Sequence, residues 1–303
     1  MGDWSTQRER GSPAALQLMR WVALHLGRAP ARVLLYPIAL YFLVRASGPR
    51  RESRRFLTRV LGRPAGLTDV ARHMHSFAVT ILDRVFLLSG RREELDIGLH
   101  QQELVDARLS AGQGFLLLGS HLGSFEVLRA LAIDAVRMPI KILMYPAHNR
   151  IITDMLHALN PEFAGSVISL AGPHPLLAVK ESLDAGYGVG MLGDRYREGE
   201  PTVACDFLGA RATFPAGPLS LAAVTGAPVI LFFGLYRGGN RYDVHFELLA
   251  ERISLGPRAQ RDAALKQWVQ RYADRLAHYT REAPFNWFNF YDFWEDDGAT
   301  PRG

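Results

Sequence analysis

The segment Phe115-Leu-Leu-Leu-Gly-Ser-His-Leu-Gly-Ser-Phe-Glu126 joins a short apolar run to a pattern typical of a helix start. The run predicts a buried strand that ends at Gly119, and Ser124 is a good N-cap for the helix that follows. The turn between them holds His121. In proteins built from alternating strands and helices, ligands bind at the carboxyl ends of the strands. The segment therefore predicts an α/β fold with His121 at its functional edge.

The same alternation continues along the chain. Strands are predicted over residues 115–118, 140–144, 167–170, 189–192, 229–235 and 242–249. Helical patterns begin near Ser124, Asn149 and His174, and a long amphipathic helix is predicted over Arg258–Glu282. This alternation favours a largely parallel central sheet flanked by helices, and the glycine-rich turn at residues 238–240 adds one antiparallel strand pair.

The residues that precede the first predicted strand have helical periodicity instead. Helices are predicted over residues 14–26, 32–46, 52–61, 68–88 and 101–109. We therefore expect a helical region over residues 1–110 and an α/β core over residues 111–303, within one continuous domain.

An apolar run over Val33–Val44 is the strongest candidate for membrane contact. Twelve residues are too few to cross a bilayer, which needs about 20. Arginines flank the run: Arg28, Arg32, Arg45, Arg50 and Arg51. We expect an interfacial helix or hairpin with these arginines on lipid headgroups and Trp21, Tyr36 and Tyr41 at the boundary. An ordinary core helix is the alternative. No secretory signal peptide is evident.

Composition narrows the classes of protein and site. The chain has 35 Lys and Arg against 30 Asp and Glu, and only three of the basic residues are lysines. An Arg-rich surface suits anionic headgroups, an acidic carrier protein or nucleic acid. The single cysteine, Cys205, excludes an intramolecular disulfide. We interpret it as an inert thiol in a turn. His73 and His75, two residues apart on a predicted helix, are not expected to bind a metal.

The His-x4-Glu spacing of His121 and Glu126 suggests acid–base chemistry. From the first turn of the helix, the carboxylate of Glu126 is expected to reach back to the imidazole, fix its tautomer and raise its basicity. The bare spacing also occurs by chance, with the glutamate capping a helix and the histidine in a polar turn. The strand, the glycines and the helix around it favour a general base.

The segment Gly119–Glu126 resembles the His-x4-Asp/Glu block of the lysophospholipid acyltransferase superfamily, and specifically its lipid A lauroyl/myristoyl acyltransferase branch. Further similar blocks follow in order: Tyr145–Asn149, Gly193–Arg195, Phe207–Ala212, Gly226–Ile230 and Phe285–Trp294. The resemblance covers about residues 15–295. Glycerol-phosphate acyltransferases carry Phe-Pro-Glu-Gly where this chain has Phe214-Pro-Ala-Gly217. The missing glutamate disfavours acylglycerol phosphate as the acceptor.

The resemblance implies an acyltransferase at the cytoplasmic face of a bacterial inner membrane. An acyl chain would pass directly from a thioester, expected on acyl carrier protein, to a hydroxyl of a membrane lipid or glycolipid such as a lipid A precursor. Neither a cofactor nor a metal is expected. His121 is the expected general base, with Glu126 stabilising the imidazolium.

Four further residues are predicted to bind substrate. Asp194 and Arg195 follow a strand and so lie at the same sheet edge as His121, where Asp194 would orient Arg195 toward a phosphate or the oxyanion. A surface salt bridge is the alternative for this pair. Arg211 is expected to bind the acceptor phosphate or the phosphopantetheine of the carrier, and Asn149 to cap a helix that faces the site.

Two functions of other classes remain open. One is a catalytically inactive protein of the same fold that binds lipid at the membrane surface. The other is a basic RNA-binding protein, which no motif supports. The aromatic tail Phe285–Trp294 lacks interleaved Arg or Lys, so core packing or lipid contact is expected rather than base stacking. No nucleic acid is predicted as a partner.

Overall fold

The computed structural model describes residues 13–128, 140–145 and 166–294. The helices in these ranges are α1 (Pro13–Leu26), α2 (Arg28–Arg45), α3 (Ser47–Leu61), α4 (Leu67–Leu88), α5 (Glu103–Ser110), α6 (Pro175–Asp184), α7 (Gly217–Thr225) and α8 (Arg261–Glu282). The strands are β1 (Asp96–His100), β2 (Phe115–Gly119), β3 (Ile140–Met144), β4 (Val167–Ser169), β5 (Gly188–Leu192), β6 (Thr202–Phe207), β7 (Ala210–Pro215), β8 (Val229–Gly238) and β9 (Arg241–Ala250). Residues 126–128 are also helical.

Seven strands form one sheet in the order β1-β9-β8-β2-β5-β3-β4. Neighbouring strands run parallel except β8 and β9, which form the predicted antiparallel pair. The predicted largely parallel sheet flanked by helices is thereby confirmed. Strand β2 lies between β8 and β5, and all five of its residues are buried, as expected for a strand that is covered on both faces.

The structure corrects the sequence interpretation at three strands. Strand β1 lies inside the region predicted to be helical, and its residues are only partly buried because it pairs with β9 at the edge of the sheet. Strands β6 and β7 form a separate two-stranded sheet. Cys205 therefore lies in a strand and not in a turn. Burial raises the pKa of its thiol to about 11, so the thiol stays protonated at neutral pH.

A buried ion pair joins the N-terminal helices to the sheet. Arg28 at the start of α2 donates from Nε and Nη2 to the two carboxylate oxygens of Asp83 on α4, at 2.7 and 2.8 Å. The hydroxyl of Tyr242 on β9 also donates to Asp83, at 2.7 Å. The side chain of Arg28 is therefore buried and bound to Asp83, and the expectation that it contacts lipid headgroups is wrong. Breaking such a pair leaves an uncompensated buried charge, so it fixes the position of α2.

Helices α1 and α2 present apolar side chains outward. The large exposed ones are Leu18, Trp21, Leu26, Val33, Tyr36, Leu40, Tyr41 and Val44. Those on α2 recur at helical spacing. Together the eight exposed side chains form the α1–α2 stripe. Within the described ranges, no single helix is both long enough and apolar enough to cross a membrane. Helices α2 and α3 taken together meet both requirements, but the chain bends by 96° between them.

Candidate active site

His121 and Asp194 meet at the carboxyl edge of the sheet. Strands β2 and β5 are parallel neighbours with Gly119 opposite Leu192, so the turns that follow them lie side by side. Nδ1 of His121 lies 2.8 Å from Oδ1 of Asp194. The backbone N–H of His121 donates to the other oxygen, Oδ2, at 3.0 Å. The two residues therefore form a tightly held histidine–carboxylate pair.

Asp194 is buried and accepts three hydrogen bonds. The third comes from the indole Nε1 of Trp287, at 3.0 Å from Oδ2. Burial raises the pKa of Asp194, but the neighbouring His121 and the charge of Arg195 outweigh that effect and bring the pKa down to about 2. The carboxylate is therefore ionised at neutral pH. It holds the proton of His121 on Nδ1 and leaves Nε2 as the basic nitrogen.

The imidazole of His121 is suited to accept a proton. Its side chain is 31% exposed, so a substrate has access to it. Burial among the surrounding residues and the charge of Arg195 lower its pKa, and Asp194 opposes them only in part. The ring is therefore neutral at pH 7, the form that a general base requires.

The structure corrects the predicted pairing of His121 with Glu126. In the described residues, Oε2 of Glu126 lies 3.2 Å from Nε of Arg84 on α4, while Asp194 occupies Nδ1 of the His121 ring. The physical reason is the order of strands in the sheet. Strand β5 lies directly beside β2, so Asp194 reaches the imidazole, and the charge of Arg84 compensates that of Glu126. The charge of Arg84 also acts on His121 and lowers its pKa.

The other predicted substrate-binding residues are placed differently. Arg195 lies beside the His121–Asp194 pair, but its Nη2 donates to the carbonyl of Phe288 at 2.7 Å, and the carboxylate of Asp194 is directed to His121 and Trp287. Asp194 therefore orients the imidazole. Arg211 is exposed on β7, and no contact among the described residues connects it to His121. Asn149 lies outside the described residues.

The aromatic tail Phe285–Trp294 packs against the turn that holds His121. The sequence interpretation did not predict this contact. The backbone N–H of Phe288 donates to the carbonyl of His121 at 2.9 Å, and that of Gly123 donates to the carbonyl of Asn286 at 2.8 Å. Leu122 and Trp287 form an antiparallel bridge. Trp287 is fully buried, so this part of the tail packs in the core, which is one of the two arrangements expected from the sequence. The sequence resemblance included this segment but assigned no function to it.

His73 on α4 anchors the tail from the other side. Its Nε2 lies 2.9 Å from the carbonyl of Trp287, and its Nδ1 lies 2.8 Å from the hydroxyl of Ser53. Because a carbonyl only accepts, Nε2 carries the proton and Nδ1 accepts from the serine. Complete burial lowers the pKa of His73 to about 4, so it stays neutral. Both ring nitrogens thus serve the packing of the tail.

Close backbone contact explains the glycine after His121. Gly123 has a φ of 74°, and a Cβ built on it would lie 1.9 Å from the carbonyl oxygen of Gly234 on β8. The N–H of Ser124 donates to that same carbonyl at 2.8 Å. Any side chain at position 123 would therefore push the His121 turn away from the sheet.

His100, Asp243 and His245 form a separate polar group on β1 and β9, with ligand atoms within 4.8 Å of one another. The two imidazoles are stacked, with centroids 4.4 Å apart and planes 9° from parallel. The nitrogen lone pairs of parallel rings do not converge on one ion. Asp243 is also paired with Arg237 and Arg241. These contacts give no reason to assign a metal to this group.

The site contains a neutral, accessible imidazole that is held by a buried carboxylate. Such a pair can remove a proton from a hydroxyl group. The profile of the bacterial lipid A biosynthesis acyltransferases matches residues 14–295, and the chain belongs to this family. The protein is therefore an acyltransferase, and its family implies a lipid or glycolipid acceptor. Among curated proteins, no significant match is found.

Proposed function

We propose that the protein transfers a fatty acyl chain from acyl carrier protein to a hydroxyl of a lipid A precursor or a related glycolipid. The observation that carries this proposal is the contact of 2.8 Å between Nδ1 of His121 and Asp194. The family supports acyl transfer, and the acidic donor protein and the inner-membrane location are parts of the proposal.

In the proposed reaction, Nε2 of His121 takes the proton of the acceptor hydroxyl as its oxygen attacks the thioester carbonyl. The carboxylate of Asp194 stabilises the imidazolium that forms. When the tetrahedral intermediate collapses, the new ester C–O bond remains, the C–S bond breaks, and the proton passes from Nε2 to the departing thiolate. No covalent enzyme intermediate and no cofactor are required.

We propose separate tasks for the charged residues around the pair. The charges of Arg195 and Arg84 both lower the pKa of His121, and we propose that the same charges stabilise the oxyanion or a negative group of the acceptor. Glu126 holds Arg84 in place. Arg211, exposed on β7, is proposed to contact the acidic carrier protein or the acceptor phosphate, and Asn149 remains a proposed substrate-binding residue.

A transfer assay tests the proposed function. The purified protein is incubated with a lipid A precursor and with acyl carrier protein that bears a radiolabelled acyl chain. The lipids are then separated, and their masses are measured by mass spectrometry. We expect a product heavier by one acyl group. Lipid binding without any transfer, to this acceptor or to total bacterial lipid, would instead favour an inactive lipid-binding protein.

We further propose that the exposed stripe on α1 and α2 lies on the cytoplasmic face of the inner membrane. Leu40 and Val44 are 60% and 63% exposed and lie one turn apart. Changing both to aspartate should lower binding to vesicles of phosphatidylethanolamine and phosphatidylglycerol at least about tenfold, because two apolar side chains no longer enter the lipid. Cosedimentation measures the bound fraction.

The matched control for this experiment is Val224→Asp. Val224 is 81% exposed on α7 and lies outside the α1–α2 stripe. It should leave vesicle binding unchanged. Equal binding by the double variant and the control would show that the α1–α2 stripe does not face the membrane.

A further inference from the structure

The hydroxyl of Tyr272 connects helix α8 to the end of strand β2. Tyr272 is only 1% exposed, and its hydroxyl donates to the carbonyl of Gly119 at 2.8 Å. The backbone N–H of Gly193, just after β5, donates to the same carbonyl at 3.0 Å. One carbonyl oxygen therefore joins three elements: the strand that leads to His121, the strand that leads to Asp194, and α8.

The ring of Tyr272 also packs against the turn that holds Asp194. A Cβ built on Gly193 would lie 3.3 Å from both Cζ and the hydroxyl oxygen of Tyr272, and 2.7 Å from Cδ1 of Leu118. Glycine at position 193 therefore leaves the space that the phenol ring needs. Glycines also have no side chain to pack and leave the backbone mobile, so a hydrogen bond from a buried ring restricts Gly119 and Gly193.

The hydroxyl of Tyr272 is protonated at neutral pH. Burial and the negative charge of Asp194 raise the pKa of Tyr272 well above its usual value. A carbonyl oxygen only accepts, so the bond to Gly119 needs the phenolic proton. Tyr272 therefore keeps this bond throughout the pH range in which the imidazole of His121 titrates.

The contact between His121 and Asp194 depends on the relative position of their two turns. Nδ1 and Oδ1 are 2.8 Å apart, and the backbone N–H of His121 donates to Oδ2. Hydrogen bonds depend on distance and angle, so the two turns must be held to within about 0.5 Å. Gly119 lies two residues before His121, and Gly193 directly precedes Asp194. The junction at the Gly119 carbonyl therefore fixes both turns where they begin.

We propose that Tyr272 is a positioning residue, which holds the turn of His121 against the turn of Asp194 through the carbonyl of Gly119. The inference rests on the proposed function, in which these two residues act as the base and its orienting carboxylate. Because Tyr272 is buried, it does not contact a substrate. It acts on the transfer step and not on substrate binding.

Tyr272→Phe removes only the hydroxyl and leaves the ring that fills the core, so the protein should fold. We expect kcat to fall about tenfold, because the base is less well aligned, whereas KM for the glycolipid and for acyl carrier protein stays within about twofold. Asp194 raises the pKa of His121, so a looser contact should move the pH inflection of kcat lower by about 0.5. A purely structural tyrosine would change the melting temperature and not this inflection.

Tyr279→Phe is the matched control. Tyr279 lies about two turns further along α8 and is 6% exposed. Its hydroxyl donates to Oε2 of Glu247 on β9 at 3.1 Å, a bond that joins α8 to β9 and not to either turn. Loss of this buried hydrogen bond should lower the melting temperature to a similar extent. Both kcat and its pH inflection should equal those of the wild type.

Titration of the His121 imidazole, followed by NMR, is a second measurement that does not need activity. Its ring resonances are assigned with His121→Ala. We expect a pKa below that of the wild type in Tyr272→Phe and an unchanged pKa in Tyr279→Phe. A wild type without transfer activity would contradict the proposed function, while the titration would still test the junction. Wild-type kcat, pH inflection and imidazole titration in Tyr272→Phe would exclude a positioning role for Tyr272.

Discussion

Replacement of His121 by alanine lowers kcat for acyl transfer by about 10³-fold, while the melting temperature stays within about 5 °C of the wild type. The loss is large because no other described residue offers a neutral imidazole at this edge of the sheet. The fold is little affected, because the side chain is partly exposed and Asp194 keeps two of its three donors, the backbone N–H of residue 121 and the indole of Trp287.

The measurement is single-turnover transfer of a labelled acyl chain at saturating acceptor. His278→Ala is a suitable control, because His278 is an exposed histidine on α8. It should leave kcat unchanged. Activity of the His121→Ala protein within about tenfold of the wild type would exclude His121 as the general base, since positioned bases contribute about 10²- to 10⁴-fold.

The pH dependence follows from the same pKa. Because burial and Arg195 lower the pKa of His121, transfer should rise with pH through an inflection below 6.5, the ordinary value, and then level off. Asp194 acts in the opposite direction and holds that pKa up. Loss of its charge should therefore move the inflection to still lower pH.

The fold could be predicted where the pattern of apolar residues alone determines the local structure. The all-apolar run of β2 and the helical periodicity of α4 predicted their elements to within two residues. Strand β1 could not be found in this way, because its five residues are only partly buried and its pairing with β9 depends on a segment about 145 positions away. Strands β6 and β7 lie outside the main sheet, and polar residues such as Asp206 and Arg211 interrupt them, so neither contains a continuous apolar run like that of β2.

The site was predictable only in its parts. Strand-end position placed His121 and Asp194 at the same edge. Which carboxylate bonds the imidazole depends on the order of strands, and two strands, β3 and β4, separate β2 from β5 along the chain. Local spacing therefore favoured Glu126, which is near in sequence but bound to Arg84. The contact of Trp287 with Asp194 required the tail to return across the sheet, which no local pattern encodes.

Asp194→Asn and Glu126→Gln distinguish the two carboxylates. Asp194→Asn should lower kcat by about 10³-fold or more, because an amide that donates to Nδ1 forces the proton onto Nε2 and blocks the base. Glu126→Gln should lower kcat only about tenfold or less, because Glu126 holds Arg84 and does not touch the ring in the described structure.

Both variants are compared with the wild type in the same transfer assay, and melting temperatures show that each remains folded. The substitutions are matched, since each replaces a carboxylate by its amide. If Glu126→Gln is the more damaging change, the His-x4-Glu pair forms during catalysis and the resting contact of His121 with Asp194 is not the catalytic one. A larger loss for Asp194→Asn, together with a pH inflection of the residual activity at lower pH, would show that Asp194, in the turn after β5, orients the base.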